Sequence, residues 1–79
     1  MRLVSQDGTC DIPYNLCSVY MLKAYDCYKV LASHTENYTL ATYSTEQKAL
    51  KAMRMLREGC SEQFLFTIFQ FPKDEEIEV

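Results

Sequence analysis

The chain has 79 residues, 48% hydrophobic and 13% aromatic, with a net charge of −3 at pH 7 and four cysteines. This is a folding composition rather than a disordered one, sized for one small domain that buries about 60–65% of its unfolded surface. The acidic balance argues against a general affinity for nucleic acid, and no apolar run approaches the roughly 20 residues of a membrane span.

Met1 to Gln6 alternates weakly and leads into Asp7-Gly8, a strong two-residue turn signal. Thr9 to Tyr14 reads as the returning strand of a small hairpin. Pro13 cannot donate to a ladder, so that strand ends there or runs along a sheet edge. Leu16 to Lys23 is rich in strand formers, with Cys17, Val19 and Met21 on one face and Ser18, Tyr20 and Leu22 on the other. Cys27 to Ser33 repeats the pattern, with Tyr28, Val30 and Ala32 sharing a face. Tyr38 to Tyr43 comes after the polar break His34 to Asn37. Short polar turns between these runs predict an antiparallel meander. A helix stays open as the alternative for residues 16–32, because Leu16, Tyr20 and Cys27 also fit a helical stripe.

Tyr43 to Gly59, YSTEQKALKAMRMLREG, is the clearest element. Ser44 is placed as N-cap, with Gln47 three residues later where a capping box wants Glu or Gln. Ala49, Ala52, Met53 and Leu56 form an apolar stripe, and Gly59 stands as a C′ residue free to take positive φ. A helix over about 45–58 is predicted.

Phe64 to Phe71, FLFTIFQF, is the most strand-like run. Phe64, Phe66 and Ile68 fall on one face, and Leu65, Phe69 and Phe71 on the other. One helix hardly covers both faces, so the second face is expected to meet another protomer, and with it a homo-oligomer, or else to stand as an exposed patch prone to aggregation. Pro72 ends the strand, and residues 73–79 read as a solvated acidic tail. The fold class is therefore α+β: an antiparallel sheet of five or six short strands with one helix on a face, in a single domain over 1–72.

Chemistry is sparsely signalled. No two of Cys10, Cys17, Cys27 and Cys60 are separated by two residues, so neither a redox pair nor a zinc ribbon is spelled out, and no metal site is expected. MRLVSQDGTC has a charge at Arg2 and no apolar stretch of a signal peptide, which favours reduced, buried cysteines in a cytoplasmic chain over disulfides. His34 lies in a polar turn beside Glu36 with no nucleophile or second base in view. No glycine-rich phosphate loop is present. Neither an enzyme nor a cofactor is expected. Lys48, Lys51, Arg54 and Arg57 wrap the polar side of the helix. Arg54 and Arg57 can grip a phosphate or carboxylate in bidentate fashion, and exposed aromatics beside them could stack on a base.

Three stretches, MRLVSQDGTCDIPY, ATYSTEQKALKAMRML and FQFPKDEEIEV, resemble a family of small proteins encoded in phages and prophages of Gram-positive bacteria. The match covers about half the chain, in order. That family looks similar to the anti-Thoeris proteins, oligomers that sequester cyclic ADP-ribose signals without cleaving them. The resemblance implies a phage counter-defence protein in the host bacterial cytoplasm that binds a nucleotide-derived signal, a cyclic ADP-ribose isomer or a cyclic oligonucleotide. The candidate ligand-binding set is then Arg54 and Arg57 with Tyr43 and Phe69, at a subunit boundary. Longer members carry an extra segment before the final phenylalanine-rich block, and only Gly59 to Ile68 fills that space here. A pocket built by that segment is missing from this shortened form. The alternative is a phage inhibitor or accessory protein that acts by contact with a host defence protein, and it implies an exposed apolar edge without a phosphate pocket.

Overall fold

A computed structural model describes residues 2–61 and 68–78. In chain order these form β1 (Arg2–Val4), β2 (Asp11–Pro13), a 3-10 turn (Tyr14–Leu16), β3 (Ser18–Lys23), β4 (Tyr28–Ser33), β5 (Asn37–Tyr43), α1 (Glu46–Ser61), β6 (Ile68–Gln70) and a second 3-10 turn (Asp74–Glu76). The architecture is the expected α+β, with six short strands and one helix. The strands divide between two three-stranded sheets, ordered β2-β1-β6 and β3-β4-β5. Residues 16–32 are therefore a turn and strands, and the helical alternative is ruled out.

One pair departs from the antiparallel pattern. β6 runs parallel to β1, with Leu3 opposite Phe69. The chain reaches β6 only after crossing through α1, and a crossover of that length can return a strand in the same direction, as a tight turn cannot. β1 and β2 are antiparallel, with Leu3 opposite Ile12. Their connection is wider than a two-residue turn. Ser5 donates its amide to the Cys10 carbonyl at 2.8 Å, and Gly8 takes φ +78° inside the loop. Only glycine adopts that conformation at little cost.

Alternation governs the meander. Val30 and Ala32 are buried, Cys17, Val19 and Met21 are half-buried, and Ser18, Tyr20 and Leu22 face out. The alternation breaks once, in β5. Val30 pairs with Ala41 and Leu31 with Thr39, so Leu40 is an extra residue without a partner on β4. Leu40 and Ala41 are consequently both buried. Such a bulge bends the strand and re-aims the residues beyond it, here turning Tyr43 into the core.

The helix packs over β4 and β5. Ala49, Ala52 and Leu56 are buried and Met53 half-buried, as the stripe predicts. Its ends differ from expectation. Thr45, not Ser44, caps it: the Thr45 hydroxyl accepts the Lys48 amide at 3.2 Å. Counted from Thr45, the third helical residue is Lys48, so Gln47 is out of place for a capping box. Gly59 lies inside the helix, which continues to Ser61.

Ser44 is diverted by the C-terminal segment. Its amide and hydroxyl both donate to the Asp74 carboxylate, at 2.9 and 3.0 Å. Lys48 donates to the Asp74 carbonyl at 2.9 Å, Lys51 donates to the Glu78 carbonyl, and Ile77 is buried. The stretch read as a solvated tail is thus docked against the helix, because the Asp74 carboxylate and two main-chain carbonyls find fixed donors there and Ile77 enters the core. In β6 and just beyond, Phe69 and Phe71 turn inward and Ile68 and Gln70 outward. Phe64, Leu65 and Phe66, on which the two-faced strand rested, lie outside the described residues. Both sheets, α1 and Ile77 share one apolar core. Among the described residues, no helix is long and apolar enough to cross a membrane.

Candidate functional site

Two surface features stand out, and the first is a polar cleft where the sheets meet. Its organiser is Gln6, which carries the chain from β1 across to β5. The Gln6 amide donates to the Leu40 carbonyl at 2.6 Å. Its side chain then grips Thr42 from both sides, with Oε1 accepting the Thr42 amide at 3.1 Å and Nε2 donating to the Thr42 carbonyl at 3.2 Å. Nε2 also donates to the Pro72 carbonyl at 3.0 Å. Gln6 thereby closes the outer edge of β5.

Around it lies a cleft of about 270 Å³ walled by Gln6, Asp7, Thr42, Lys73, Asp74 and Glu75. A neighbouring hollow of about 380 Å³ shares Gln6 and Lys73 and adds Gln70 and Glu76. Three carboxylates against one ammonium make the first cleft a poor host for a diphosphate. Both aspartates are committed to the fold. Asp7 accepts from the Ser5 hydroxyl at 2.7 Å, the Thr9 hydroxyl at 2.7 Å and the Thr9 amide at 3.1 Å. These bonds, led by that from Ser5, hold its carboxyl at about 2 against an ordinary 3.8. The Ser44 amide, with help from the Ser44 hydroxyl and Lys48, likewise lowers Asp74.

These two groups make stability depend on pH. A carboxyl held below its unfolded value contributes stability that is complete above that value and is lost as pH falls through the folded one. The melting temperature is therefore expected to hold above about pH 4 and to decline from there toward about pH 2. Asp7→Asn should flatten part of that decline. A melting curve series from pH 6 to pH 2 on both proteins checks it, and parallel profiles would refute it.

The sequence-derived candidates do not meet in either cleft. Arg54 and Arg57 are exposed on α1. Tyr43 is 1% exposed, and its hydroxyl donates to the Pro72 carbonyl at 2.7 Å. Burial, reinforced by the charges of Asp74 and Glu76, pushes that phenol well above its usual range. Phe69 is half-buried and packs edge-on against Phe71 at 5.1 Å. His34 is exposed, and its Nδ1 donates to the Leu16 carbonyl at 2.9 Å. Cys10, Cys17 and Cys27 are free thiols, and burial raises Cys10 and Cys17 away from thiolate reactivity.

The second feature is the solvent face of the meander. Register aligns Tyr20, Leu31 and Thr39 across the three strands, and Leu22, Lys29 and Thr42 beside them. Tyr20 is 36% and Leu22 49% exposed, and Leu16 at the margin is 60% exposed. Ser18, Ser33 and Asn37 form the polar rim at one end. The chain has eleven acidic residues, yet none lies in β3, β4 or β5, whose charges are Lys23 and Lys29. An apolar centre with a polar rim is the usual anatomy of a protein-docking surface. The alternating pattern Ser18 to Leu22 was visible in the sequence, but not that its outer members would gather beside Leu31.

Compared with family models, with curated proteins and with solved structures, the chain matches none.

Proposed function

We propose that this chain is a non-catalytic phage-type accessory protein that acts by contact with a host defence protein, through the solvent face of its meander. The observation that carries the reading is the acid-free face centred on Tyr20, Leu22 and Leu31, on a chain whose clefts are carboxylate-lined. Its one basic group, Lys29 beside Leu22, suits an apolar partner surface that carries a carboxylate. The counter-defence setting comes from the family resemblance.

Sequestration of a cyclic nucleotide signal is the second reading. It is favoured by Arg54 and Arg57, which stand exposed on one helix and could hold phosphates at a boundary between protomers.

One experiment separates the two. Thermal unfolding is run with cyclic ADP-ribose isomers and cyclic oligonucleotides, and host lysate is passed over wild type, Leu22→Glu and the Arg54→Ala/Arg57→Ala pair. The contact reading expects no nucleotide to raise the melting temperature. It also expects a host protein that is retained by wild type and the arginine pair and lost with Leu22→Glu. Ligand bound to the folded state must raise the melting temperature by mass action. A nucleotide-specific rise that the arginine pair abolishes would overturn the contact reading in favour of sequestration.

A further inference from the structure

We infer that β3 is a self-pairing edge: two copies of this chain join β3 to β3 about a two-fold axis at Met21, making one continuous six-stranded sheet. The C-terminal half of the opposite edge, β5, is closed in each copy. Gln6 binds the outer side of β5 through the Leu40 carbonyl and through both main-chain groups of Thr42. β3 is the other edge of that sheet, and among the described residues nothing pairs with its outer side along its whole length.

The turn into β4 decides which groups this edge offers. Ala24 donates its amide to the Cys27 carbonyl at 2.9 Å, making these two a hydrogen-bonded pair. Antiparallel pairs alternate, so Leu22–Lys29, Tyr20–Leu31 and Ser18–Ser33 exchange bonds with β4. The N–H and C=O groups of Val19, Met21 and Lys23 therefore point away from β4. Proteins usually blunt such an edge with a proline, a bulge or inward charges. β3 is lightly guarded: it pairs with β4 without a register shift, contains no proline, and carries a single charge, Lys23, at its last position on the Val19–Met21 face. Moreover, α1 packs over β4 and β5, which leaves Val19 and Met21 on β3 only half-buried.

The strand is complementary to itself in one register. An axis at Met21 pairs Met21 with its copy and Val19 with Lys23 of the other chain, all through outward-facing groups. It also places Tyr20 opposite Leu22 of the other copy, twice, in non-hydrogen-bonded positions where side chains approach closest. The two most exposed apolar residues of β3 thus cover each other across the seam. An axis at Tyr20 also satisfies the hydrogen-bond pattern but sets Leu22 against Ser18. No carboxylate of β3 opposes the approach of two chains that are each net negative. The joined sheet doubles the solvent face proposed above for docking, and the pairing stands independently of that proposal.

The test uses the full chain and two double variants on the exposed face. Tyr20→Glu/Leu22→Glu sets like charges opposite each other at both cross-strand pairs. Tyr20→Glu/Leu22→Lys sets opposite charges there. Solution mass is expected to be twice the 9.2 kDa chain mass for wild type and for the Glu/Lys variant, and to fall two-fold for the Glu/Glu variant. Melting curves confirm that both variants fold. Hydrogen exchange at the Val19, Met21 and Lys23 amides should be slow in wild type and fast in the Glu/Glu variant. A monomeric wild type overturns the pairing while leaving the docking proposal standing. A dimer unaffected by the Glu/Glu variant overturns the edge, and loss of the dimer in both folded variants overturns the Met21 register.

Discussion

Phe71→Ala is expected to remove a large part of the domain's stability. Phe71 is 1% exposed, packs against Phe69 and belongs to the same core as Leu3, Leu40 and Tyr43. Its amide donates to the Val4 carbonyl at 3.1 Å, extending the β1–β6 pairing past Gln70. Removing a buried phenyl ring costs about 3–5 kcal/mol, since surrounding groups collapse only partly into the cavity. A domain of this length has roughly 4–12 kcal/mol in total. The melting temperature should drop by roughly 15 °C or more. Phe71→Leu, which keeps much of the volume, should lose far less. Denaturant titrations of the three proteins decide the matter, and a loss below about 1 kcal/mol for Phe71→Ala would contradict the packing described.

The second large effect is expected at Gln6. Gln6→Ala removes three side-chain bonds at once and reopens the edge of β5 where the two sheets are tied together. With each such bond worth about 1 kcal/mol net, and the residue only half-buried, the loss should be about 2 kcal/mol. Gln6→Glu should be no better. Its carboxylate can still accept the Thr42 amide, but it has no donor for the Thr42 and Pro72 carbonyls, and it adds charge beside Asp7. Hydrogen exchange gives a local readout: the Thr42 amide should lose its protection in both variants under conditions where the Val30 amide keeps its own. Equal protection of Thr42 in wild type and Gln6→Ala would show that the clasp contributes nothing.

Neither residue declared its role in the sequence, and the reason is distance along the chain. The outward set Ser18, Tyr20 and Leu22 and the helix stripe Ala49, Ala52, Leu56 were legible because period two and period 3.6 are local signals. The Gln6 clasp joins residues 36 apart and the Asp74 contact to Ser44 joins residues 30 apart. No periodicity records such a contact. Ser44 and Thr45 are both good N-caps by type, and what decides between them is the carboxylate that arrives from the C-terminal segment and occupies Ser44. Gly59 shows the same limit from the other side. Its freedom to end a helix is a permission, and here the chain does not use it. For the candidate site, Arg54, Arg57, Tyr43 and Phe69 rest on side-chain type and on the family resemblance, neither of which records burial. The core then claimed Tyr43, and Phe69 packs against Phe71. The outward apolar cluster of the meander is not legible in the sequence, because it depends on the register that brings Leu31 beside Tyr20.

The unpaired Leu40 gives β5 two inside–outside phases spliced end to end. Tyr38 points inward on the first, and Ala41 and Tyr43 on the second. Strand length is consequently less negotiable here than composition. Deleting Leu40 would merge the phases and leave Tyr43 opposite Tyr28 on the inward face, but it would remove a buried side chain and the carbonyl that accepts the Gln6 amide. Conservative exchanges at the same sites keep both phases. Change in length over evolutionary time, or by a protein engineer, therefore belongs in the turns at Tyr25–Asp26 and Thr35, where no strand has to keep count.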